Sequence, residues 1–317
     1  MTADLRSVAG VLGLALAVVV AAPPSIAAQS GGERPSLGGH RFPWNPMTLS
    51  PFPTTHVRSL TGVGRVAGVE FLPAFDLGGV VVPAVKGDLL FAELEFEYMQ
   101  RIQPWLGVWV NAGGLARLGT ETGALLSQGV TAITGFELGW LFRVYEGESL
   151  FVSGTVALSE SGITEVDLAG WVRGVVGGED APLVTSTPRL RSRGGVRVAW
   201  GLNPTWGAQF KSDFGFEQSS VSGEEGEWIW DQAGSVSLDL LPERGIPLGF
   251  VLSGASRESP REGGNPGVRT WDATLRTAYT RSESYLIALD TSWSSYDLDD
   301  GDGIDLLRVG LSLMLYF

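Results

Sequence analysis

The sequence predicts an all-β fold: a transmembrane antiparallel β-barrel of about twelve strands, with short turns at one end and longer loops at the other. Three observations support this prediction. The last strand alternates between apolar and other residues, similar segments recur through residues 67–317, and short connections alternate with longer ones. Such alternation gives a strand one face for lipid and one for a wetter interior.

The composition agrees with a barrel. Hydrophobic residues make up 44% of a chain whose net charge is -13, yet no segment beyond the N-terminal region is long and apolar enough for a membrane helix. A barrel accommodates both facts because its apolar residues are dispersed at every second position. The acidic balance argues against nucleic acid as a ligand. The absence of cysteine suits a chain that crosses an oxidising compartment.

The final segment, residues 304–317, has the clearest strand pattern. Its apolar face carries Leu307, Val309, Leu311, Leu313, Leu315 and Phe317. Its other face carries Arg308, Gly310, Ser312 and Tyr316, with Met314 as the exception. This ending resembles the closing strand of bacterial outer-membrane β-barrels, a class in which a C-terminal Phe after alternating apolar residues acts as an assembly signal.

The resemblance is to the porin-like class as a whole, covers residues 67–317 by pattern and points to no specific family. It implies a multi-pass barrel in the cell outer membrane with both termini in the periplasm. It also implies two kinds of partner. One is outer-membrane lipid with lipopolysaccharide, and the other is the barrel-assembly machinery, which would bind the strand that ends at Phe317.

The N-terminal region predicts secretion. An apolar run over residues 8–22 follows a basic residue and precedes two prolines and several small residues. This is the pattern of a signal peptide over residues 1–28, cleaved after Ala27 or Ala28. A membrane anchor is the alternative, but the run is shorter than the ~20 residues that a spanning helix needs.

Twelve strands are expected from the alternation. Their predicted bounds are 67–76, 88–101, 105–117, 129–145, 149–159, 188–202, 204–217, 228–241, 246–256, 269–281, 284–295 and 304–317. The short connections suit periplasmic turns and the longer ones suit external loops. Prolines fall in turns and loops, where a missing N–H costs little, except for Pro73 inside the first strand. Aromatic residues flank the short turns, which is typical of an interfacial girdle.

Two regions do not follow the strand pattern. Residues 29–66 are rich in Gly and Pro, and they are expected either to plug the lumen from the periplasmic side or to form a linker. The stretch 160–187 contains Thr164-Glu-Val-Asp167, a capping-box pattern that predicts a short helix. The same stretch also alternates, and an extra strand there would give a barrel of fourteen strands.

Charged residues on the predicted inward faces are the candidate selectivity residues. An acidic ladder, a basic ladder and one further arginine comprise Glu93, Glu95, Glu97, Arg189, Arg191, Arg193, Arg197 and Arg308. An Arg that faced lipid at the midplane would cost ~2–4 kcal/mol, so these side chains are expected to point into the lumen. The two ladders either face each other across water and impose a transverse field on solutes, or they pair through a plugged interior.

Enzymatic function is not expected. The two histidines, His40 and His56, both fall in the N-terminal segment, so no Ser–His pair is expected between barrel strands. No phosphate loop, dinucleotide fingerprint or Cys/His cluster is present, and no cofactor is expected. One acidic loop is a weak candidate for a metal site, because it offers oxygen ligands at close spacing that do not match the EF-hand Ca²⁺ loop; its carboxylates are Asp297, Asp299, Asp300, Asp302 and Asp305.

The expected function is that of a porin-like channel for passive passage of small polar or charged solutes. A sealed structural or surface-binding barrel is the alternative, and an outer-membrane hydrolase is the third. Many barrels with unrelated roles share this pattern, so the step from fold to function is by analogy.

Overall fold

The computed structural model describes residues 34–72, 75–77, 80–82, 85–119, 130–166, 184–219, 226–259, 268–297 and 304–317 of the chain. Within these ranges, twelve strands form a closed antiparallel barrel, which confirms the predicted fold class. No helix in the described ranges has the length and the apolar character to span a bilayer.

The barrel strands follow one another around the wall in chain order. The strands are β1 (Ser36–Leu37), β2 (His40–Arg41), β3 (His56–Leu72), β4 (Phe75–Leu77), β5 (Val80–Val82), β6 (Val85–Gln103), β7 (Leu106–Gly119), β8 (Val130–Glu146), β9 (Leu150–Val166), β10 (Val184–Gly201), β11 (Trp206–Ser219), β12 (Glu227–Asp239), β13 (Leu248–Ser259), β14 (Val268–Tyr279), β15 (Tyr285–Asp297) and β16 (Ile304–Tyr316). The β1–β2 and β4–β5 pairs are separate hairpins, and α1 (Leu241–Arg244) is a single helical turn between β12 and β13.

The barrel closes between its last and first strands. β16 and β3 pair in an antiparallel register that runs from Tyr316 opposite His56 to Leu307 opposite Arg65. Along this paired stretch the strand edges are hydrogen-bonded to each other, which matters because an unsatisfied backbone group in lipid would cost several kcal/mol. The barrel end that holds the short connections, among them 104–105 and 147–149, is called the turn end below.

The first barrel strand begins earlier than predicted. β3 starts at His56, within the segment expected to be a plug or linker, and the predicted strand 67–76 overlaps only its last six residues, 67–72. The outward positions at the start of β3 include Ser59 and Thr61 beside Val57 and Val63, so the apolar alternation that marks a lipid-facing strand is weak there.

The stretch 160–187 also differs from the helical prediction. β9 continues as strand through Val166 and pairs with β8 and β10, so the Thr164 capping pattern does not start a helix. Residues 167–183, which hold the rest of the predicted helix, lie outside the described residues. The barrel has twelve strands and not the alternative fourteen.

The outer surface of the barrel is apolar with an aromatic girdle. Trp200 and Trp206 are exposed near the turn end, and Trp228, Trp271 and Trp293 are exposed toward the opposite end. Exposed leucines of β16 lie between the two levels on the predicted lipid face, such as Leu311 and Leu313. This arrangement matches the apolar band with flanking aromatic rings that spans a bilayer.

Two residues of the last strand face inward for a reason that the sequence does not reveal. Met314, the exception in the alternation, is buried and belongs to the inward face, as does Tyr316. Both pack in a cluster with Trp44 of the N-terminal segment. The inward face of β16 is therefore apolar at the turn end because another part of the chain covers it.

Candidate functional site: the lumen and its N-terminal plug

Residues 34–55, called the plug below, lie across the turn end of the lumen. The hairpin β1–β2 turns at Gly38 and Gly39, whose φ angles of 59° and 81° fit a two-residue turn that needs positive φ at both positions. Its backbone reaches the barrel turns, since Gly38 N donates to Glu148 O at 2.9 Å.

Aromatic side chains anchor the plug. Trp44 is 3% exposed and packs against Leu286 and Met314. On the other side of the lumen, Phe42 and Phe52 pack with barrel residues in a second apolar cluster. Full burial of such a side chain stabilises the buried state by about 1.5–3 kcal/mol, so these three residues hold the plug firmly in place.

Polar contacts fix the plug to strands all around the wall. Arg34 Nη2 donates to Thr280 O at 2.6 Å, and Thr48 Oγ1 donates to Gln209 Oε1 at 3.1 Å. Ser153 Oγ donates to the carbonyl of Pro51. These bonds reach the β14 end, β11 and β9, so the plug is attached at well-separated points of the barrel.

His40 of the plug binds a barrel serine, a contact between the N-terminal segment and the wall that the sequence did not predict. His40 Nε2 lies 2.7 Å from Ser237 Oγ of β12, and Nδ1 lies 3.3 Å from Pro204 O. The second ring nitrogen of His40 therefore faces the carbonyl of Pro204 and not the carboxylate that orients the histidine of a catalytic triad. Both His40 and Ser237 are buried. Burial lowers the pKa of His40 below its usual range. The pair seats the plug and offers no surface for a hydrolytic substrate.

His56 belongs to β3 and takes part in an ion-pair network with the acidic ladder. His56 Nε2 lies 2.9 Å from Glu97 Oε1. Arg58 Nη2, from the same strand, binds Glu95 at 2.5 Å and Glu97 at 3.2 Å. Arg58 is fully buried, and its two acidic partners compensate for the loss of its hydration.

The remaining member of the acidic ladder has a separate partner. Arg308 Nη1 of β16 lies 3.3 Å from Glu93 Oε2. The acidic ladder of β6 is thus neutralised by cations from the adjacent strand β3 and from β16, the next strand beyond it. Among the described residues, no member of the acidic ladder forms an ion pair with the basic ladder four strands away.

The basic ladder of β10 is only partly neutralised. Arg193 binds Glu137 at 2.6 Å and Asp213 at 3.1 Å, and Arg189 binds Glu217 at 3.0 Å. The other two arginines differ. Nε and Nη2 of both Arg191 and Arg197 are buried without a hydrogen-bond partner among the described residues, although Arg197 lies 5.0 Å from the ring centre of Trp109.

A second group of inward-facing charges lies outside the two ladders, and sequence reasoning missed its pair Arg276 and Asp290. Arg276 of β14 binds Asp290 of β15 through two bonds of 2.6 Å, and its Nη1 donates to the carbonyl of Trp44. Lys211 of β11 binds Asp231 of β12 at 3.0 Å. Arg276 and Asp290 occupy inward positions of predicted strands, so the alternation itself carries the signal that identifies them.

A cavity of about 320 Å³ lies in the lumen against the plug. Pro46 and Met47 of the plug form part of its lining. The charged residues around it are Glu93, Glu95, Lys211, Asp231, Arg257, Asp272, Asp290 and Arg308. This volume is at the lower end of the range for small-molecule sites, and the polar lining suits a hydrophilic ligand.

Most of the acidic loop near the C-terminus, the weak candidate for a metal site, lies outside the described residues. Asp299, Asp300 and Asp302 lie outside the described residues, and Asp305 is exposed at the start of β16. Elsewhere in the described ranges, no group of three or more potential ligands is arranged to hold a metal ion.

The fold and the outward belt place the chain among transmembrane β-barrels of the outer-membrane class. No protein-family model matches the chain, and no curated protein matches it closely enough to identify a relative. Several solved structures share its architecture.

Three of these structures illustrate the likeness. An outer membrane channel from Pseudomonas putida F1 is 8% identical, with a TM-score of 0.50 over 87% of this chain and 100% of that chain. The β-domain of the Bordetella autotransporter BrkA is 7% identical, with a TM-score of 0.50 over 83% and 100%. The NanC porin is 8% identical, with a TM-score of 0.48 over 82% and 99%. The TM-scores of 0.50 for the first two structures indicate a common fold, and identities this low assign no function to individual residues.

Proposed function

We propose that the protein is an outer-membrane channel for the passive passage of small polar or charged solutes, closed at its turn end by the plug. The observation that carries this proposal is the lining of the charged cavity. Part of that lining is Pro46 and Met47, which belong to the plug and not to the barrel wall. Removal of that segment would extend the cavity toward the turn end, where the aromatic plug residues now fill the lumen.

The resting state of such a channel is closed. Three buried aromatic anchors and hydrogen bonds to several strands hold the plug, so it leaves the lumen only when another interaction compensates for these contacts. The charged groups of the cavity, including Glu93, Glu95 and Arg308, would then contact the passing solute and set its selectivity.

The proposal also covers the route to the membrane and the partners. Residues 1–28 act as a signal peptide that is removed near Ala27 or Ala28, and the turn end faces the periplasm. The barrel-assembly machinery binds the last strand through its end at Phe317, and lipopolysaccharide covers the outer leaflet around the barrel. The lipid-facing belt and the alternating C-terminal strand support this assignment.

A sealed, surface-binding barrel is the second candidate, and a specific observation favours it. At the turn end the inward-facing residues of the wall are apolar, among them Phe151, Ala199, Leu286 and Met314. A permanently open lumen would expose these side chains to water, whereas a permanent plug keeps them buried.

Planar-bilayer recording separates the two candidates. The full chain and a variant that lacks residues 34–52 are refolded, and heat-modifiable gel mobility confirms that each barrel is folded. A gated channel is expected to be silent as the full chain and to show discrete conductance steps after the deletion. A folded deletion variant without conductance would contradict the channel and support the sealed barrel.

A matched control tests whether the plug itself is the barrier. The natural chain has no cysteine, so Thr48→Cys and Gln209→Cys introduce a single pair of thiols at a plug–wall contact. A short bis-thiol reagent that joins them should abolish any rare openings of the full chain. Openings that persist after cross-linking would show that solute passes by another route.

A further inference from the structure

We propose that the luminal cavity is a binding site for a small zwitterionic solute, whose ammonium group binds Asp272 and whose carboxylate binds Arg257. This inference deepens the proposed function, because it assumes that solutes reach the cavity. It rests on two series of charged groups that both end at the cavity with a group that has no close partner of opposite charge.

The first series ends in a cation. Asp213 lies between Arg193, at 3.1 Å, and Lys211, at 4.0 Å, and Lys211 then binds Asp231 at 3.0 Å. The last member is Arg257, whose Nη2 approaches Asp231 only to 3.8 Å while 54% of its side chain remains exposed. Because Lys211 already binds Asp231 closely, the guanidinium of Arg257 keeps most of its donors for another acceptor.

The second series ends in an anion. Arg308 binds Glu93 at 3.3 Å, and its Nη2 lies 3.4 Å from Ser294 Oγ. Ser294 in turn donates to Asp272 Oδ1. Among the described side chains, no Lys or Arg lies within ion-pair distance of Asp272, so this carboxylate has a hydroxyl partner but no cation.

The two ends are neighbours on the same wall. Asp272 of β14 lies opposite Ala255 of β13, and Arg257 lies opposite Thr270, two residues along. Such diagonal neighbours on one face are about 7–8 Å apart between Cα atoms. Both residues line the cavity, yet they form no ion pair with each other among the described contacts.

A zwitterion fits this arrangement better than a singly charged solute. Its ammonium would supply the cation that Asp272 lacks, and its carboxylate would form a charge-assisted, bidentate bond with Arg257. A cation alone would leave Arg257 without a strong acceptor, and an anion alone would leave Asp272 without a cation. The hydroxyls of Thr274 and Ser292, which also line the cavity, offer further hydrogen bonds to a polar solute.

Calorimetric titration of the full chain in detergent tests the inference. The probes are the zwitterion γ-aminobutyrate and its single-charge analogues butylamine and butyrate, with glycine and β-alanine as a series in charge separation. At least one zwitterion is expected to bind about tenfold or more tightly than either analogue, the factor expected for one hydrogen bond to a charged group. Equal affinity for zwitterions and analogues, or no binding by any probe, would overturn the proposal.

Substitutions test whether Asp272 and Arg257 are the groups that bind the zwitterion. Asp272→Asn and Arg257→Gln should each weaken zwitterion binding about tenfold, whereas Glu258→Gln, which changes an outward-facing carboxylate beside Arg257, should leave it unchanged. The double variant Asp272→Arg with Arg257→Asp keeps both charges and should recover binding to within a few-fold. Unchanged binding in both single variants, in barrels shown to be folded by gel mobility, would contradict the assignment. Binding by the full chain combined with a silent plug deletion would reject the channel and retain the site.

Discussion

The guanidinium carbon of Arg58 lies 3.8 Å from the centre of the Trp44 indole ring, which places a buried cation of the barrel wall directly over the main anchor of the plug. Arg276 approaches the same ring at 4.7 Å. Because Arg58 also binds Glu95 and Glu97, plug docking and the acidic ladder share one residue. A change in either is therefore transmitted to the other.

Replacement of Trp44 by Ala should release the plug. The substitution removes a buried indole and both cation–π contacts, and large-to-small changes of this kind cost about 3–5 kcal/mol. Limited proteolysis of the folded barrel should then cut within residues 34–55 much faster than in the natural chain. Trp105→Ala, at an exposed turn position, should leave the cleavage rate unchanged; equal rates for both variants would show that Trp44 does not anchor the plug.

Addition of one methyl group to the barrel wall should displace the plug without any change to the sequence of the plug. A Cβ at Gly207 would lie 2.3 Å from His40 Cδ2 and 2.7 Å from Phe42 Cε1, so Gly207→Ala is incompatible with the docked hairpin. The variant should show channel openings that the natural chain lacks. Gly254→Ala is the control, since its nearest neighbour would lie at 3.7 Å. Silence from both variants would argue that the hairpin shifts without opening the lumen.

Removal of the buried cation should destabilise the barrel itself. Arg58→Met leaves Glu95 and Glu97 without their main partner, and a broken buried ion pair costs about 3–5 kcal/mol. Urea unfolding in detergent should show this loss, and Glu97→Gln in the same chain should restore part of it. Arg65→Met, which removes a mostly exposed arginine paired with Asp88, should cost no more than ~1 kcal/mol. A similar loss for the two arginines would contradict the network.

Acid should weaken plug docking through His40. Burial lowers the pKa of His40 in the docked state, so the released segment binds a proton more readily than the docked one. The contribution of His40 to docking is complete above the ordinary histidine pKa of about 6.5 and is lost progressively as the pH falls below that value. The hydrogen-exchange protection factors of residues 34–55, which are corrected for the slower intrinsic exchange at low pH, should fall between about pH 7 and 5. His40→Gln should remove this part of the pH dependence, and an unchanged profile would exclude His40 as its source.

Reversal of charge on the basic ladder should change ion selectivity. Arg191 and Arg197 keep guanidinium nitrogens without acceptors, so they contribute positive potential to the lumen. In the chain that lacks residues 34–52, Arg191→Glu with Arg197→Glu should shift the reversal potential in a salt gradient toward cation selectivity. Val196→Thr, an outward-facing change on the same strand, is the control. A reversal potential that does not move would mean that the ladder lies outside the conducting path.

The alternation of apolar residues was sufficient to predict the barrel, its strand number and the inward direction of both charge ladders. It predicts these features because each depends on a local period of two that lipid enforces on every strand. The start of β3 was missed where Ser59 and Thr61 interrupt the apolar face. Lipid tolerates such residues near a strand end, so the pattern there carries little information.

The plug contacts could not be predicted in the same way. Met314 was recognised as an exception to the alternation, yet its cause is Trp44, some 270 residues earlier in the chain. The His40–Ser237 and Arg276–Trp44 contacts also join residues about 200 positions or more apart in the chain. No local period connects such pairs, so only the folded arrangement shows that the turn end of the lumen is built to be covered.

The seam between β16 and β3 has a consequence for biogenesis. The strand that completes the wall is the last one to be synthesised, and its partner directly follows the plug in the chain. The cylinder can therefore be sealed only after the other eleven barrel strands have been made, and residues 34–55 are joined directly to one side of the seam when sealing occurs. Insertion of the plug and closure of the seam are thus late, coupled events. A chain that fails at one of them is expected to reach the membrane with the other also incomplete.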